Sequence, residues 1–141
     1  MIADKKLMER GDGSMHKIVV DMQNFLFADS VAMAFKNSDY EIDVVRAESP
    51  QDTVELCQVY KPSVLVMEVT GYTPWKLCER LRLRDAVKAS CPDCKIALIV
   101  DSSTEKQAAK DIRDAKKNGL IDQFFYGSMT AEYLLDQIFA M

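Results

Sequence analysis

The chain has 141 residues, 48% of them hydrophobic, which suits one domain built around an ordinary core. A formal net charge of −4 argues against a nucleic-acid backbone as the main partner, because such binding needs a surplus of Lys and Arg. No apolar run approaches membrane-spanning length, which excludes a helical span.

The opening stretch MIADKKLMERGDGS is charged and ends in a Gly/Ser tract, so it resembles neither a signal peptide nor an anchor. It predicts a mobile leader over 1–14 ahead of one domain over 15–141, in a cytoplasmic protein whose four cysteines are reduced thiols. KIVVDM (17–22) then reads as a short buried strand. NFLFADSVAMAFKNS (24–38) carries Phe27, Val31 and Phe35 four apart, one helical stripe. YEIDVV (40–45) alternates like a strand with one exposed face. Ser49 as N-cap, Pro50 at the first helical position and Asp52 in the first turn open the next helix, which Pro62 ends.

An apolar run over 63–68 closes on Glu68, followed by a helix over 74–89 and the strand KIALIV (95–100). A helix over 103–118 stops at Gly119, DQFFY (122–126) forms the last strand, and a final helix starts near Thr130. Its apolar face is Ala131, Leu134, Leu135 and Ile138. Five strands alternating with five helices require a parallel sheet with helices on both faces, a doubly wound open α/β sandwich. Functional groups of such sheets gather beyond the carboxyl ends of the strands. With strand order 2-1-3-4-5, Asp21 and Glu68 end neighbouring strands and are expected to converge.

CPDC (91–94) has the spacing of a metal or redox motif, but Cys57 and Cys78 stand singly and the motif precedes a strand. It reads as a loop turned by Pro92 and Asp93. Lys76, Arg80, Arg84 and Lys88 recur four apart, which predicts a solvated basic face or a surface for an acidic partner. His16, the only histidine, reads as a surface residue. No glycine-rich phosphate loop appears, and with one histidine there is no Ser/His/Asp set, so nucleophilic hydrolysis has no candidate residues.

Over residues 16–141 the layout, with YKPSVLVMEVT and FFYGSMTAEYLLDQI, resembles the receiver domain of two-component response regulators, closest to the subfamily with helix-turn-helix output domains. The resemblance implies a flavodoxin-like fold in which a strand-three Asp accepts a phosphoryl group from a histidine kinase. It also implies an acidic pair holding Mg²⁺ after strand one, a Ser or Thr ending strand four and a Lys ending strand five. Here Glu68 stands at the phosphoacceptor position, and only Asp21 of the acidic pair remains, since Met22 follows it. The strand-four position falls on Val100, Asp101 or Ser102, and the Lys position on Gly127 or Tyr126.

These departures predict a pseudo-receiver that is not phosphorylated, binds Mg²⁺ weakly or not at all, and has no other cofactor. It would not be an enzyme. Two readings of Glu68 stay open: a fixed negative charge that holds one conformation, or a drifted pocket with no signalling state. The domain would act through a protein partner, whether a histidine kinase, a regulator or a second copy as a homodimer, and would bind neither nucleic acid nor membrane. By resemblance, Phe124 marks a partner surface on strand five, with Tyr126 and Tyr133 as its exposed members, while Phe124 and Phe125 divide between the sheet's two faces. The alternatives are a working phosphoacceptor receiver with an atypical pocket and a flavodoxin-like cofactor-binding domain.

Overall fold

The structure, a computed structural model, describes residues 16–39, 41–127 and 129–141. The expected leader over 1–14 and the domain's opening at Met15 lie outside the described residues. In chain order come β1 (His16–Asp21), α1 (Phe25–Lys36), β2 (Ile42–Arg46), α2 (Pro50–Tyr60) and β3 (Val64–Val69). They are followed by α3 (Leu77–Ser90), β4 (Lys95–Val100), α4 (Lys106–Lys117), β5 (Gln123–Tyr126) and α5 (Ala131–Phe139). Every strand pairing is parallel and the order is β2-β1-β3-β4-β5, as expected.

Alternation along the buried strands serves two separate cores. Val19, Leu65, Met67, Ile96 and Leu98 face Cys57, Val87 and Ile112 beneath α2, α3 and α4. Ile18, Val20, Val66, Ile99 and Phe125 face Val31, Phe35, Leu134 and Ile138 beneath α1 and α5. Leu65 and Phe35 have no exposed surface, and full burial of such side chains stabilises by about 1.5–3 kcal/mol each. β1, β3 and β4 are therefore apolar on both faces, the pattern of parallel strands covered by helices on each side.

Local signals set where the helices start. The Asn24 side chain accepts the Phe27 N–H at 3.1 Å and caps α1, and Thr130 does the same for α5 through the Tyr133 N–H. Ser49 stands at the N-cap of α2, but its hydroxyl donates to Asp52 Oδ2 and makes no side-chain cap bond.

Three element expectations need correction. β2 is half-buried along its whole length instead of alternating, because it is an edge strand. α3 begins at Leu77, not residue 74, because the preceding loop closes on itself through Thr70 N–H to Trp75 O and Trp75 N–H to Tyr72 O. α4 begins at Lys106, not residue 103. Asp101 Oδ1 accepts from both the Ser103 N–H and the Ser103 hydroxyl, holding that segment in a turn.

Candidate functional site

The carboxyl ends of β1 and β3 carry Asp21 and Glu68, but register keeps their side chains apart. Asp21 pairs with Met67 across the sheet. Successive residues point to opposite faces, so Asp21 turns toward the α2 and α3 layer and Glu68 toward the α1 layer. The expected convergence of the two carboxylates does not occur.

Asp21 is instead consumed by an ion pair. It is 1% exposed, and Arg80 of α3 is 0% exposed. Arg80 Nη1 donates to Asp21 Oδ2 at 2.7 Å, and Nη2 donates to Oδ1 at 3.2 Å and to the Asp21 main-chain oxygen at 3.1 Å. Its Nε donates to the Glu68 main-chain oxygen at 2.8 Å. The Thr53 hydroxyl of α2 donates to Asp21 Oδ2 at 2.5 Å. Among the described residues no buried side-chain polar atom is left unpaired, which a buried charge pair requires if it is not to be strongly destabilising.

Arg80 was expected on a solvated stripe, and the structure corrects that. Arg84 of the same stripe is half-buried and donates from Nε to the Leu120 carbonyl at 2.7 Å, while Lys88 reaches the Pro92 carbonyl. Only Lys76, ahead of α3, is an open surface cation. A signal for this was present in the sequence. Leu77, Arg80, Arg84, Val87 and Cys91 follow the alternating three- and four-residue spacing of one inward helical face. An arginine on that row calls for a buried acid, and Asp21 is that acid.

Glu68 is half-buried, and its Oε1 accepts the main-chain N–H of Asn24 at 2.9 Å. The carboxylate thus ties the end of β3 to the residue that caps α1. By the resemblance, Met22 occupies the second position of the acidic pair. It lies in the core beneath α1 and α5 at 3% exposure, because it follows Asp21 and so faces the other way.

The ends of β4 and β5 are open to water. Ser102 is exposed in the turn after Val100, where strand four ends. The hydrogen bonds from Ser103 and the Thr104 backbone hold the Asp101 carboxyl below its usual pKa. Gly127 is exposed and donates its N–H to the Val100 carbonyl. A Cβ built there would lie 3.8 Å from that oxygen, an ordinary contact, so a side chain is tolerated.

On β5, Phe125 enters the core beneath α1 and α5, whereas Phe124 and Tyr126 pack partly on the opposite core. The expected division of Phe124 and Phe125 between the two faces is what the structure shows. The Phe124 and Tyr126 rings meet edge to face at 5.8 Å, and the Tyr126 hydroxyl accepts from Arg113 Nη1 at 3.2 Å. Tyr133 is 51% exposed. With Met129 and Gln137 these aromatics line an open groove of about 380 Å³.

Cys91 to Cys94 forms a turn, with the Cys94 N–H on the Cys91 carbonyl, and both residues are buried. Burial, aided by neighbouring thiols, pushes Cys57 and Cys94 up to about 12, so these thiols stay protonated. His16 is half-buried and meets the Phe139 ring edge-on at 5.0 Å, a contact that the surface reading missed.

The corner at Asp21 does not fit a divalent cation. Mg²⁺ takes oxygen ligands in near-octahedral geometry, whereas both Asp21 oxygens already accept from Arg80 and Thr53, and Met22 faces away into the core. Among the described residues no group of three or more His, Cys, Asp or Glu side chains is placed to hold a metal. Nor is any described helix long and apolar enough to cross a membrane.

No family model and no curated protein matches the chain. Solved structures do match its fold. A response regulator from Thermotoga maritima superposes with a TM-score of 0.70 at 16% identity, covering 90% of this chain and 97% of that one. The chemotaxis protein CheY4 of Vibrio cholerae gives 0.68 at 14% identity, covering 90% and 98%. A response regulator from Burkholderia pseudomallei, solved with a phosphorylated aspartic acid and a calcium ion, gives 0.60 at 19% identity, covering 85% of this chain and 64% of that one. At these identities the likeness establishes the fold, which is that of response-regulator receiver domains.

Proposed function

We propose that the chain is a receiver-like signalling domain of a two-component phosphorelay that acts through protein contacts and is not phosphorylated. The observation that supports this most is the burial of Asp21 against Arg80. Forming an acyl phosphate on a carboxylate needs a free nucleophile, a metal and positive charge on the transferring oxygens. Asp21 is the one acid left where the receiver family keeps a metal-binding pair, and both of its carboxylate oxygens already accept, Oδ2 from Arg80 and Thr53 and Oδ1 from Arg80. Glu68 stands at the acceptor position with a side chain longer by one C–C bond, about 1.5 Å. A misplacement near 1 Å already costs about 100-fold in rate. Gly127 supplies no cation.

On this reading the domain is not an enzyme, needs no Mg²⁺, and meets a histidine kinase, another regulator or a second copy of itself. The partner surface is the groove at Phe124, Tyr126 and Tyr133. Tyr126 is held by Arg113, so Tyr133 is its most available anchor. Phe124 and Tyr126 are half-buried beside it, and aromatic anchors with Tyr prominent among them carry much of the energy of protein association. Glu68 belongs to the frame of this domain, since it holds the α1 cap residue.

Incubation with acetyl phosphate and Mg²⁺, read by intact mass, should give no stable phosphoryl adduct. An adduct on the wild type would establish the alternative of a working receiver. The Glu68→Asp variant should also stay unmodified. Light scattering of the wild type against a Tyr126→Ala, Tyr133→Ala variant tests the surface: two monomers at high concentration with unchanged partner binding would remove it.

A further inference from the structure

Arg80 lies in surroundings made of oxygen. Its four hydrogen bonds end on Asp21 Oδ1, Asp21 Oδ2, the Asp21 carbonyl and the Glu68 carbonyl. The Thr53 hydroxyl shares Oδ2. A carboxylate, two carbonyls and a hydroxyl form a donor set that a hard cation selects, and no nitrogen or sulfur ligand intervenes. The guanidinium that fills this set is wholly buried.

The structure assigns to Arg80 the role of a resident cation, an intramolecular substitute for a divalent ion at the carboxyl ends of β1 and β3. It supplies the positive charge that Asp21 needs when removed from water, and it links both strand ends to α3. A planar fork with five donors can reach two strands at once, which a lysine ammonium does with poorer geometry. The charge state of this corner is therefore written into the chain. An ion shifts a conformational equilibrium only through differential affinity for the two states, and with Arg80 in place the corner offers it none. This inference rests on the proposed function only in treating the corner as the counterpart of a receiver's switch.

The test removes the guanidinium. Arg80→Ala should gain a divalent site: its melting midpoint should rise by several degrees in millimolar Mg²⁺, and Mn²⁺ should broaden the amide signals around Asp21, Thr53 and Glu68. Wild type should show neither effect, and an Asp21→Asn, Arg80→Ala double variant should lose both. Because the alanine variant leaves a carboxylate buried alone, a second measurement uses the intact protein. The Arg80 Nε–H signal of wild type should exchange slowly and stay unmoved by Mg²⁺ or beryllofluoride. An Arg80→Ala protein indifferent to cations, or one that no cation helps to fold, overturns the inference. So does a wild-type Arg80 signal that shifts with Mg²⁺. A phosphoryl adduct on wild type with that signal unmoved would instead remove the phosphate-free reading and leave the role of Arg80 standing.

Discussion

Two aspartates lie at the carboxyl edge of the same sheet and are handled in opposite ways. Asp21, at the end of β1, is buried and held by a guanidinium and a hydroxyl, whereas Asp101, just past β4, is exposed and accepts from the neighbouring Ser103. A carboxylate withdrawn from water needs a charged, hydrogen-bonded partner, and one left in water does not. The edge is accordingly split into a closed half, sealed by the buried Asp21–Arg80 pair with Glu68 half-buried beside it, and an open half at β4 and β5.

The largest expected effect breaks the closed half by removing one partner. Asp21→Asn or Arg80→Ala should each lower stability by about 3–5 kcal/mol, because the other charge is left buried and unpaired. Urea denaturation of each against Asp101→Asn checks it: the Asp101 variant should keep the wild-type midpoint, and equal midpoints for Asp21→Asn and Asp101→Asn would erase the contrast. Replacing both partners, as Asp21→Leu with Arg80→Met, should be milder than either single change.

Thr53→Val comes next. It keeps the shape of the side chain and deletes the hydroxyl that donates to charged Asp21, with an expected loss of about 1.5–3 kcal/mol in the same assay.

Alkaline pH gives a smaller and separate effect on the layer beneath α2 and α3. Cys57 and Cys94 are pushed up from 9.0 to about 12 by burial, so the unfolded chain loses these protons first. Their contribution is complete below about pH 9 and lost as pH rises toward 12, so stability should fall across that window. The reagent-accessible thiol at neutral pH should be the exposed Cys78, and fast labelling of Cys57 by mass mapping would contradict the burial.

The smallest effect is expected in the open half. Gly127→Ala and Ser102→Ala should each change stability by less than about 0.5 kcal/mol, as for exposed sites without special contacts. A loss as large as that of Thr53→Val would mean that this half is as closed as the other.

Much of the fold was legible because its signals are local. The unbroken apolar run at β4 matched its strand residue for residue, and Thr130 capped α5 where expected. The loops before α3 and α4 misled by three residues each, since their internal hydrogen bonds carry no periodicity. The site was legible only in its parts: Asp21 ends β1 and Glu68 stands one residue before the end of β3, but their relations did not follow.

The sequence by itself determined a doubly wound α/β sheet, because strand and helix periods are written in the order of apolar residues and parallel strands leave one way to connect them. It also determined which chemical groups stand at the strand ends. Only the tertiary structure decided that Asp21 and Glu68 turn away from one another, since that depends on pairing Asp21 with Met67 in register. Only the packing of α3 across that edge decided that Arg80, 59 residues beyond Asp21, neutralises it. An ion pair between such distant positions leaves no local pattern, and its formation depends on the desolvation that the assembled layers impose.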